Sequence, residues 1–279
     1  MSGIGVPALD TSVPHSARRY NYWLGGKDNF EADRASGDAI AERWPDIVTA
    51  VRENRRFLRR AVRYAVQRVG VRQFLDIGTG LPTADNTHDV AQAIDPSCRI
   101  VYVDNDPLVL THARALLTST PQGCCAYLDG DVREPEKILD NPVLRETFHL
   151  GQPVALMLAA VMHFVPEADD PYRLVATLLD ALPSGSLLVL SHGSHDLIPA
   201  EQAARLIEEE YPGKDGFYAR TRAEVSAFFE GVHLIGQPER AGGGSRRPGL
   251  ISEWRRSPED GQAPPRSAVS TWGGMGRKP

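Results

Sequence analysis

The feature that most constrains the fold of this chain is an apolar segment that leads into an acidic residue and then a Gly-x-Gly turn. This segment is Phe74-Leu-Asp-Ile-Gly-Thr-Gly-Leu-Pro-Thr83, and a second apolar segment, Val101-Tyr-Val-Asp104, also ends in an acid. Gly78 and Gly80 lack a Cβ, so the backbone can turn tightly and a ligand can approach it closely. Asp104 follows Gly80 at close to the spacing of about 20 residues at which an acid accepts ribose hydroxyls. The pattern predicts a nucleotide-like ligand at the carboxyl edge of a parallel sheet.

Apolar strands and helices alternate from about residue 70 onward. Strands are expected at residues 73–77, 99–104, 124–129, 154–160 and 186–191, and helices at residues 86–94, 107–118, 170–182 and 199–210. A capping box at Thr221-Arg-Ala-Glu224 predicts one more helix. Such alternation indicates an α/β fold with a doubly wound, mostly parallel sheet. Residues 232–236 and 269–274 are further strand candidates, which brings the expected sheet to about seven strands.

The residues before 70 have a helical pattern without strands. A helix is expected from Pro14 to about residue 23, and Gly25 and Gly26 interrupt it. A long amphipathic helix is expected over residues 47–69, because apolar residues recur on one of its faces. We expect three parts in the chain, which are a flexible tail at residues 1–13, a helical lid at residues 14–70 and a cofactor-binding domain at residues 71–279.

Charge narrows the range of partners. The net charge of −5 does not suggest general nucleic-acid binding. The long helix has a basic face that lacks interleaved aromatic residues. We therefore expect its arginines to pair with acidic residues of the protein rather than to bind nucleic acid. Binding of an anionic substrate by this face is a further possibility. That face comprises Arg52, Arg55, Arg56, Arg59, Arg60, Arg63 and Arg68.

The expected location is the cytoplasm, without membrane contact. No apolar run approaches the ~18 residues that span a bilayer, and the N-terminal residues lack the pattern of a secretory signal peptide. The three cysteines, Cys98, Cys124 and Cys125, form an odd set without metal-like spacing, which indicates reduced thiols.

The glycine turn and a third acid favour S-adenosylmethionine over a dinucleotide as the cofactor. A dinucleotide site needs Gly-x-Gly-x-x-Gly, but here the third glycine is missing and Pro82 lacks an N–H, so the loop is poorly suited to a pyrophosphate. After the third strand, Asp131 is placed to accept from an adenine amino group, and Val132 to offer its N–H to the ring and its side chain for packing. Acids after three successive strands describe a site for S-adenosylmethionine, whose cationic groups tolerate carboxylates better than phosphates do.

Several segments resemble known methyltransferases. Asp76-x-Gly-x-Gly80, Asp104, Gly130-Asp131 and Leu182-Pro-Ser-Gly-Ser-Leu-Leu-Val-Leu190 are similar to the successive motifs of class I S-adenosylmethionine-dependent methyltransferases. Three further segments resemble a bacterial family of predicted S-adenosyl methyltransferases of unassigned function. These are Ala17-Arg-Arg-Tyr-Asn-Tyr-Trp-Leu-Gly-Gly-Lys-Asp-Asn-Phe30, Asn54-Arg-Arg-Phe-Leu-Arg-Arg60 and Val101-Tyr-Val-Asp-Asn-Asp-Pro107. The resemblance implies a Rossmann-like fold, S-adenosylmethionine as cofactor and methyl transfer by direct displacement, but it implies no acceptor. Asp85 stands where a small residue is expected after the loop.

Eight residues are expected to bind the cofactor, namely Asp76, Gly78, Gly80, Asp104, Asn105, Asp131, Val132 and Ala159. Each acid also has a structural alternative. Asp76 could cap the turn, Asp104 could cap the helix that begins near Pro107, and Asp131 could belong to an ordinary turn. Of Asn105 and Asp106, one is expected to line the adenine pocket and the other to cap that helix.

The segment Leu24-Gly-Gly-Lys-Asp-Asn29 is interpreted either as an inter-helix turn or as part of a lid over the cofactor. In a lid, Lys27 would meet the methionyl carboxylate, and Tyr20, Gly26 and Asn29 would contact the cofactor or the acceptor. The expected acceptor is a small molecule, because nothing in the composition favours nucleic acid.

His163 follows the fourth strand, where it is either a general base for the acceptor or a loop histidine held by hydrogen bonds. His192, His195 and Asp196 follow the fifth strand, and no metal is expected there. Two other functions stay open. One is a non-catalytic protein that senses S-adenosylmethionine or its demethylated product, which a deep pocket beside the methyl position would oppose. The other is a nicotinamide oxidoreductase, which the incomplete glycine pattern disfavours.

Overall fold

The computed structural model describes residues 10–83, 85–116, 118–149, 151–208, 216–236 and 247–279. The strands are β1 (Gln73–Ile77), β2 (Arg99–Asp104), β3 (Cys124–Asp129), β4 (Val154–Ala159), β5 (Leu187–Gly193), β6 (His233–Leu234), β7 (Gly249–Leu250) and β8 (Thr271–Arg277). The helices are α1 (Ser16–Trp23), α2 (Glu31–Arg43), α3 (Ile47–Tyr64), α4 (Thr87–Ile94), α5 (Pro107–Leu116), α6 (Pro135–Leu139), α7 (Pro142–Thr147), α8 (Pro171–Asp180), α9 (Ala200–Glu208), α10 (Arg222–Ala227) and α11 (Arg266–Val269). Residues 1–9 of the expected tail lie outside the described residues.

One sheet with the strand order β3-β2-β1-β4-β5-β8-β6 organises the fold. Its first five strands are parallel, whereas β8 runs antiparallel to β5 and also pairs with β6 and β7. The strand order reverses at β1, whose neighbours are β2 and β4. Ligands of open parallel sheets bind in the crevice at the carboxyl ends of the strands beside such a reversal.

The predicted α/β fold with a mostly parallel, doubly wound sheet is confirmed. The sheet has an eighth strand, β7, which is only two residues long and carries no alternating pattern. Helix α2 was not predicted either. The residues that it buries are Asp33, Ser36 and Gly37, which are polar or small, so its buried face lacks the apolar repeat by which helices are recognised.

Helix α3 joins the N-terminal helices to the core of the sheet. Phe57, Ala61 and Val62 of α3 are fully buried and belong to the same apolar cluster as β1, β4 and β5. A π-helical turn (Ala65–Val69) continues α3 to Gly70, whose φ of +84° ends the helix in the left-handed conformation. The three strands are buried at every position except the last of β4, as expected for parallel strands covered on both faces.

A second apolar cluster lies where α1, α2 and α3 meet. Trp44, Ile47, Ala50 and Val51 form its buried centre, and the partly buried side chains around it include Tyr20, Trp23, Ile40 and Leu206. A buried ion pair also fixes α1, because Arg18 donates from Nε and Nη2 to the two carboxylate oxygens of Asp106 at 2.9 and 3.0 Å. Since Asp106 follows β2, this pair holds α1 against the carboxyl edge of the sheet.

The basic face of α3 is paired with acids. Arg56 bonds to the buried carboxylate of Glu53. Arg59 and Arg60 lie 2.9 and 3.3 Å from the carboxylate of Asp260, and Arg63 lies 3.7 Å from the carboxylate of Glu259. The contacts of Arg59, Arg60 and Arg63 link α3 to the C-terminal segment, whereas the pair of Arg56 and Glu53 lies within α3. Among the helices described, none is both long and apolar enough to cross a membrane.

Candidate functional site

A cavity of about 290 Å³ lies between the carboxyl edge of the sheet and the helices α1 to α3. Its sheet side is lined by Asp76, Gly78, Gly80, Asp104, Asn105, Asp131, Val132 and Ala159, the eight residues expected to bind a cofactor. Its helical side is lined by Arg19, Tyr20, Trp23, Trp44, Val51, Asn54 and Arg55, among others. The turn after β4, the end of β5 and the segment before α10 contribute His163, Phe164, Gly193 and Phe217 to the lining. One cavity is therefore lined both by the predicted cofactor residues and by aromatic side chains.

The glycine turn after β1 adopts the conformation that its sequence predicts. Gly78 and Gly80 have φ values of +73° and +68°, in the left-handed region that favours glycine. The N–H of Gly80 donates to Oδ2 of Asp104 at 2.8 Å, which ties the turn to the end of β2. A Cβ built on Gly78 would lie 2.5 Å from Cγ2 of Val161, whereas one built on Gly80 has nothing within 4 Å. The open space of the turn is therefore above Gly80.

Replacing Gly78 by alanine is expected to lower the free energy of unfolding by about 2–3 kcal/mol. The left-handed conformation costs a non-glycine residue about 1–2 kcal/mol, and crowding against Val161 adds about 1 kcal/mol. The matched variant Gly80→Ala carries the conformational cost alone, so its loss should stay near about 1–2 kcal/mol. Equilibrium unfolding in urea compares the two, and equal losses would mean that the Val161 contact carries no energy.

Asp104 lies at the end of β2 with both carboxylate oxygens directed at backbone groups. Oδ1 accepts from the N–H of Asp106 at 2.9 Å and Oδ2 accepts from Gly80. Burial raises the pKa of Asp104, and these two hydrogen bonds oppose the rise. Each oxygen has a second lone pair, so the carboxylate can also accept from a ligand. The residue that caps the start of α5 is Asp106, whose Oδ1 accepts from the N–H of Leu108 at 3.0 Å.

Asp131 and Asn105 form the wall of the cavity beside β3. Nδ2 of Asn105 donates to Oδ2 of Asp131 at 3.0 Å, and Arg133 donates from Nε and from its backbone N–H to Oδ1 at 2.9 Å. Burial opposes ionisation, but the hydrogen bonds from Arg133 and Asn105 prevail and lower the pKa of Asp131 to about 2. Val132 is buried in the same wall. Arg133 also donates from Nη2 to Oδ2, so Asp131 is anionic at neutral pH and its orientation is fixed by Arg133 and Asn105.

Asp76 is buried at the end of β1, where Oδ2 accepts from Oγ1 of Thr87 at 2.6 Å. Burial raises the pKa of Asp76 to about 6, although the Thr87 hydroxyl and the Arg55 guanidinium favour the charged form. The side chain that caps the turn after β1 is that of Thr79, whose Oγ1 donates to the backbone carbonyl of Asp76 at 2.9 Å. The side chain of Asp76 thus contributes to the cavity wall as an acid that ionises within the physiological range.

The raised pKa of Asp76 predicts a pH-dependent cost to stability. The folded protein binds the Asp76 proton more tightly than the unfolded chain does. Protonated Asp76 therefore adds to the free energy of unfolding, in full below pH 3.8, and this contribution is lost as the pH rises to about 6. The amide in an Asp76→Asn variant cannot ionise, so the stability of the variant relative to wild type should grow by about 1.4 kcal/mol between pH 5 and pH 8. Urea unfolding of both proteins at the two pH values measures this difference. A difference that does not change with pH would contradict the assigned shift.

A chain of hydrogen bonds connects the sheet edge to the helical side of the cavity. The N–H of Ala160 donates to Oγ of Ser191 at 3.0 Å, and that hydroxyl donates to Oδ1 of Asn54 at 2.6 Å. Nδ2 of Asn54 donates to the hydroxyl of Tyr20 at 3.1 Å, which in turn donates to the carbonyl of Val51 at 3.2 Å. Ala160, directly after β4, has a φ of +61°, a conformation that costs a residue with a Cβ about 1–2 kcal/mol. The chain therefore couples a strained position in the cavity wall to α3 and α1.

The residues predicted for a lid lie in two different places. Tyr20 lines the cavity, whereas Gly26 and Asn29 lie in the turn after α1, where Nδ2 of Asn29 donates to Oδ1 of Asn21 at 2.9 Å. Lys27 is exposed and is not among the residues that line the cavity, which corrects the expectation that it lies near the cofactor. The N–H of Asp28 also donates to Oδ1 of Asn21, so the turn closes on α1 and leaves Lys27 outside. The cations that line the helical side are Arg19 and Arg55.

His163 lines the cavity, and one nitrogen of its ring is hydrogen-bonded to the backbone. Its Nδ1 accepts from the N–H of Gly193 at 3.3 Å, so the neutral ring carries its proton on Nε2. Burial, with a contribution from the Arg220 guanidinium, lowers the pKa of His163 to about 3. At neutral pH the ring offers the cavity a donor, and a general base with so low a pKa is weak.

The polar residues behind His163 are held by hydrogen bonds to one another and to the backbone. Arg220 is buried, and it donates from Nη1 to the carbonyl of Met162 and lies 2.9 Å from Nε2 of His192. Asp196 accepts from the indole N–H of Trp272 at 3.0 Å. Within the part of the chain that the structure describes, no group of three histidine, cysteine, aspartate or glutamate residues is arranged to hold a metal ion.

Sequence reasoning named Tyr20 but assigned no site role to four other aromatic residues of the cavity. Trp23 and Trp44 come from α1 and from the residue after α2, and Phe164 and Phe217 come from loops that are distant in the chain. No spacing in the sequence links these positions, because they converge only through the packing of α1 to α3 over the sheet. Asn54 and Arg55 had a weak signal, since they begin one of the segments that carried the resemblance.

Sequence and structure both relate this chain to known proteins. A family model described as S-adenosyl methyltransferase matches residues 4–279. The chain is 41% identical to a DUF574 family protein from Streptomyces avermitilis, with a TM-score of 0.88 over 97% of this chain and 99% of that chain. It is 36% identical to a proposed methyltransferase from Thermobifida fusca, with a TM-score of 0.81 over 99% of each chain.

More distant similarity extends to the fold alone. A SAM-dependent methyltransferase from Anabaena variabilis is 12% identical, with a TM-score of 0.50 over 98% of this chain and 98% of that chain. Among curated proteins, none matches this chain.

Proposed function

The chain belongs to the S-adenosyl methyltransferase family, and from that premise we propose that it transfers a methyl group by direct displacement to a small molecule bound in the same cavity. The protein is an S-adenosylmethionine-dependent methyltransferase, and the proposal concerns the acceptor and the manner of transfer. One observation carries it. The cavity continues from the predicted cofactor residues into a space lined by aromatic side chains of α1, of the residue after α2, of the turn after β4 and of the segment before α10.

The residues of the sheet edge fit S-adenosylmethionine. In this proposal the ribose hydroxyls donate to Asp104, and the adenine lies beside Asn105, Asp131 and Val132. Among the described residues, the three acids that line the cavity all belong to this side; Arg133 is paired with Asp131, and the other two acids suit a ligand with a sulfonium and an ammonium group. Gly80 leaves room for close approach, because nothing lies within 4 Å of the position of a Cβ.

The methionyl end of the cofactor is assigned to the region of Asp76 and Arg55. Both line the cavity, and the Arg55 guanidinium is close enough to favour the charged form of Asp76. An ammonium group suits the Asp76 carboxylate and a carboxylate suits Arg55, which takes the role that the sequence suggested for Lys27. Ala159, at the end of β4, completes the wall between this region and the aromatic space.

Bound S-adenosylmethionine supplies an electrophilic methyl carbon on a positively charged sulfur. The chain's own residues then have two tasks, which are to hold the acceptor in line with that carbon and to keep water out. Helix α1 covers the cavity and is held to the sheet by Arg18 and Asp106. His163 is assigned a positioning role through its Nε2–H, because its Nδ1 already accepts from Gly193.

The proposal is tested by incubating the protein with S-adenosylmethionine labelled in the methyl group and with bacterial cell extract split by size into small molecules and macromolecules. We expect label to move into the small-molecule fraction, with release of S-adenosylhomocysteine, and to require Asp104. Label that moves only into protein or nucleic acid would contradict a small-molecule acceptor. Binding of S-adenosylhomocysteine without transfer to either fraction would favour a protein that only senses the cofactor.

A further inference from the structure

His163 offers the cavity a hydrogen-bond donor that no described residue uses. Its side chain lines the cavity and is 8% exposed, and its Nδ1 accepts from the N–H of Gly193 at 3.3 Å, so the neutral ring carries its proton on Nε2. No described residue accepts from Nε2, and Nε2 is not among the buried polar atoms that are closed off without a partner. This N–H is therefore available to a ligand atom with a lone pair.

The two polar residues behind His163 are held in one arrangement of protons. A guanidinium can only donate, so Nε2 of His192, at 2.9 Å from Nη1 of Arg220, accepts, and Nδ1 of His192 donates to the carbonyl of Gly193 at 2.8 Å. Burial lowers the pKa of His192 well below its usual range, which keeps this ring neutral. The backbone N–H of Arg220 donates to the same carbonyl at 3.3 Å. Both residues thus fix the backbone of Gly193, whose N–H is bonded to His163.

The guanidinium of Arg220 also holds the turn that carries His163. Nη1 donates to the carbonyl of Met162 and Nη2 to the carbonyl of Val165, each at 3.0 Å, so these bonds lie on both sides of His163 in the chain. The carbonyl of His163 itself accepts from the N–H of Tyr218 at 2.7 Å. Arg220 is buried and is not among the residues that line the cavity, so it acts on the site through His163.

Two phenylalanine rings flank the donor. The ring centroids of Phe164 and Phe217 lie 4.4 and 5.0 Å from that of His163, and both side chains line the cavity. Phe217 can approach the end of β5 because Gly193 has no side chain, since a Cβ there would lie 2.8 Å from Cζ of Phe217. One polar donor among apolar rings is typical of pockets that bind a ring and fix its orientation through a single polar atom.

Resting on the proposed function, we propose that His163 selects the methyl acceptor, a small ring compound whose carbonyl oxygen or ring nitrogen accepts a hydrogen bond from Nε2–H. Arg220 and His192 are the positioning residues that hold His163 in this role. The ring of the acceptor packs against Phe164 and Phe217 while its lone pair meets the donor. An ammonium group has only donors, so it finds no partner in Nε2–H.

The protonation of His163 is tested in the wild-type protein, so this measurement does not depend on the stability of a variant. In protein labelled with ¹⁵N-histidine, NMR at pH 7.5 distinguishes protonated from unprotonated ring nitrogens, and the signals of His163 are those absent from His163→Gln. We expect the proton on Nε2, both in the free protein and with S-adenosylhomocysteine bound. A proton on Nδ1, or on both nitrogens, overturns the proposal.

Two substitutions at His163 distinguish a donor from a general base. Glutamine keeps an N–H near the position of Nε2 but cannot take up a proton, whereas leucine has neither property. With methyl-labelled S-adenosylmethionine and the small-molecule fraction of the extract, we expect His163→Gln to stay within about threefold of the wild-type rate and His163→Leu to lose at least about tenfold. Both should bind S-adenosylhomocysteine as wild type does. Equal losses in the two variants, or a leucine variant as active as wild type, overturn the proposal, whereas wild type that transfers no label refutes the proposed function itself.

The positioning role is tested by Arg220→Met against the control Glu167→Gln. Glu167 accepts from Nη2 of Arg220 at 2.7 Å on the exposed side, so its substitution leaves the bonds to the turn and to His192 in place. We expect Arg220→Met to transfer label at least about tenfold more slowly and to show His163 in both neutral tautomers, with unchanged affinity for S-adenosylhomocysteine. Glu167→Gln should match wild type in all three measurements.

A second substitution covers the case in which the methionine variant does not fold. Arg220→Lys keeps the charge but lacks the planar fork that reaches two carbonyls and His192, so we expect it to lose at least about threefold in rate and to show the same mixture of tautomers. If the folded variant of Arg220 keeps the wild-type rate and a single Nε2–H tautomer, Arg220 does not position His163. An equal loss in Glu167→Gln would contradict the assignment as well.

Discussion

Replacing Asp104 by alanine is expected to weaken the binding of S-adenosylhomocysteine at least about 100-fold. Asp104 is 5% exposed, and its two oxygens accept from Gly80 and Asp106, which leaves each oxygen a second lone pair for a ligand. Two hydrogen bonds from ribose hydroxyls to a carboxylate contribute about 1.5–3 kcal/mol each, so their joint loss is at least about 3 kcal/mol. Isothermal titration calorimetry on wild type and variant measures the change.

The control for Asp104→Ala is an acid at the same level of the neighbouring strand. Asp129 pairs with Asp104 in the register of β2 and β3, but it is exposed and lies outside the residues that line the cavity. Asp129→Ala should therefore bind S-adenosylhomocysteine as wild type does. A loss of less than threefold in Asp104→Ala, or an equal loss in Asp129→Ala, would refute the assignment of the ribose to Asp104. A nicotinamide dinucleotide, titrated in parallel, is expected to give no comparable heat.

The sheet edge was predictable because its determinants are local in the sequence. Strands β1, β2 and β3 begin and end at the predicted residues, since each is a short apolar run bounded by turn residues or an acid. Parallel strands bring their carboxyl ends to one edge, so three acids that follow three strands must converge there. For this reason the sequence predicted that Asp76, Asp104 and Asp131 lie together, and all three line one cavity, while their contact with the cofactor stays a prediction.

The helical side of the cavity was not predictable in the same way. Helix α2 buries Asp33, Ser36 and Gly37, so its sequence lacks an apolar face, and yet Trp44 at its end enters the cavity wall. Lys27 was expected near the cofactor because a cation in a glycine-rich turn suits a carboxylate. Its position depends instead on Asn21, which draws Asp28 and Asn29 back against α1. Contacts of this kind join side chains through tertiary packing, and residue type does not reveal them.

His163 illustrates how burial can reverse an expectation drawn from residue type. A histidine after the fourth strand suggests a general base, but its environment makes the charged form unfavourable, with a pKa of about 3. A general base is therefore not expected of His163, and transfer would depend on alignment of the acceptor and exclusion of water.

Exclusion of water depends on α1, and replacing Arg18 by methionine is expected to lower the free energy of unfolding by about 3–5 kcal/mol. Asp106 is fully buried and Arg18 is 4% exposed, so removing the guanidinium leaves a buried carboxylate with its main partner lost. Nδ1 of His15, at 3.3 Å from Oδ2, and the N–H of Leu108 are the contacts that stay. Equilibrium unfolding in urea measures the loss.

A second substitution separates the ion pair from the packing of the arginine stem. In Arg18→Met with Asp106→Asn the buried charge is absent, and the asparagine oxygen can still accept from Leu108, so most of the lost stability should return. Because α1 covers the cavity, the single variant should also bind S-adenosylhomocysteine more weakly, and the double variant should recover part of that affinity. If the double variant is as unstable as Arg18→Met, the cost lies in packing rather than in the unpaired charge. If Arg18→Met is as stable as wild type and binds equally well, the ion pair does not hold α1 over the site.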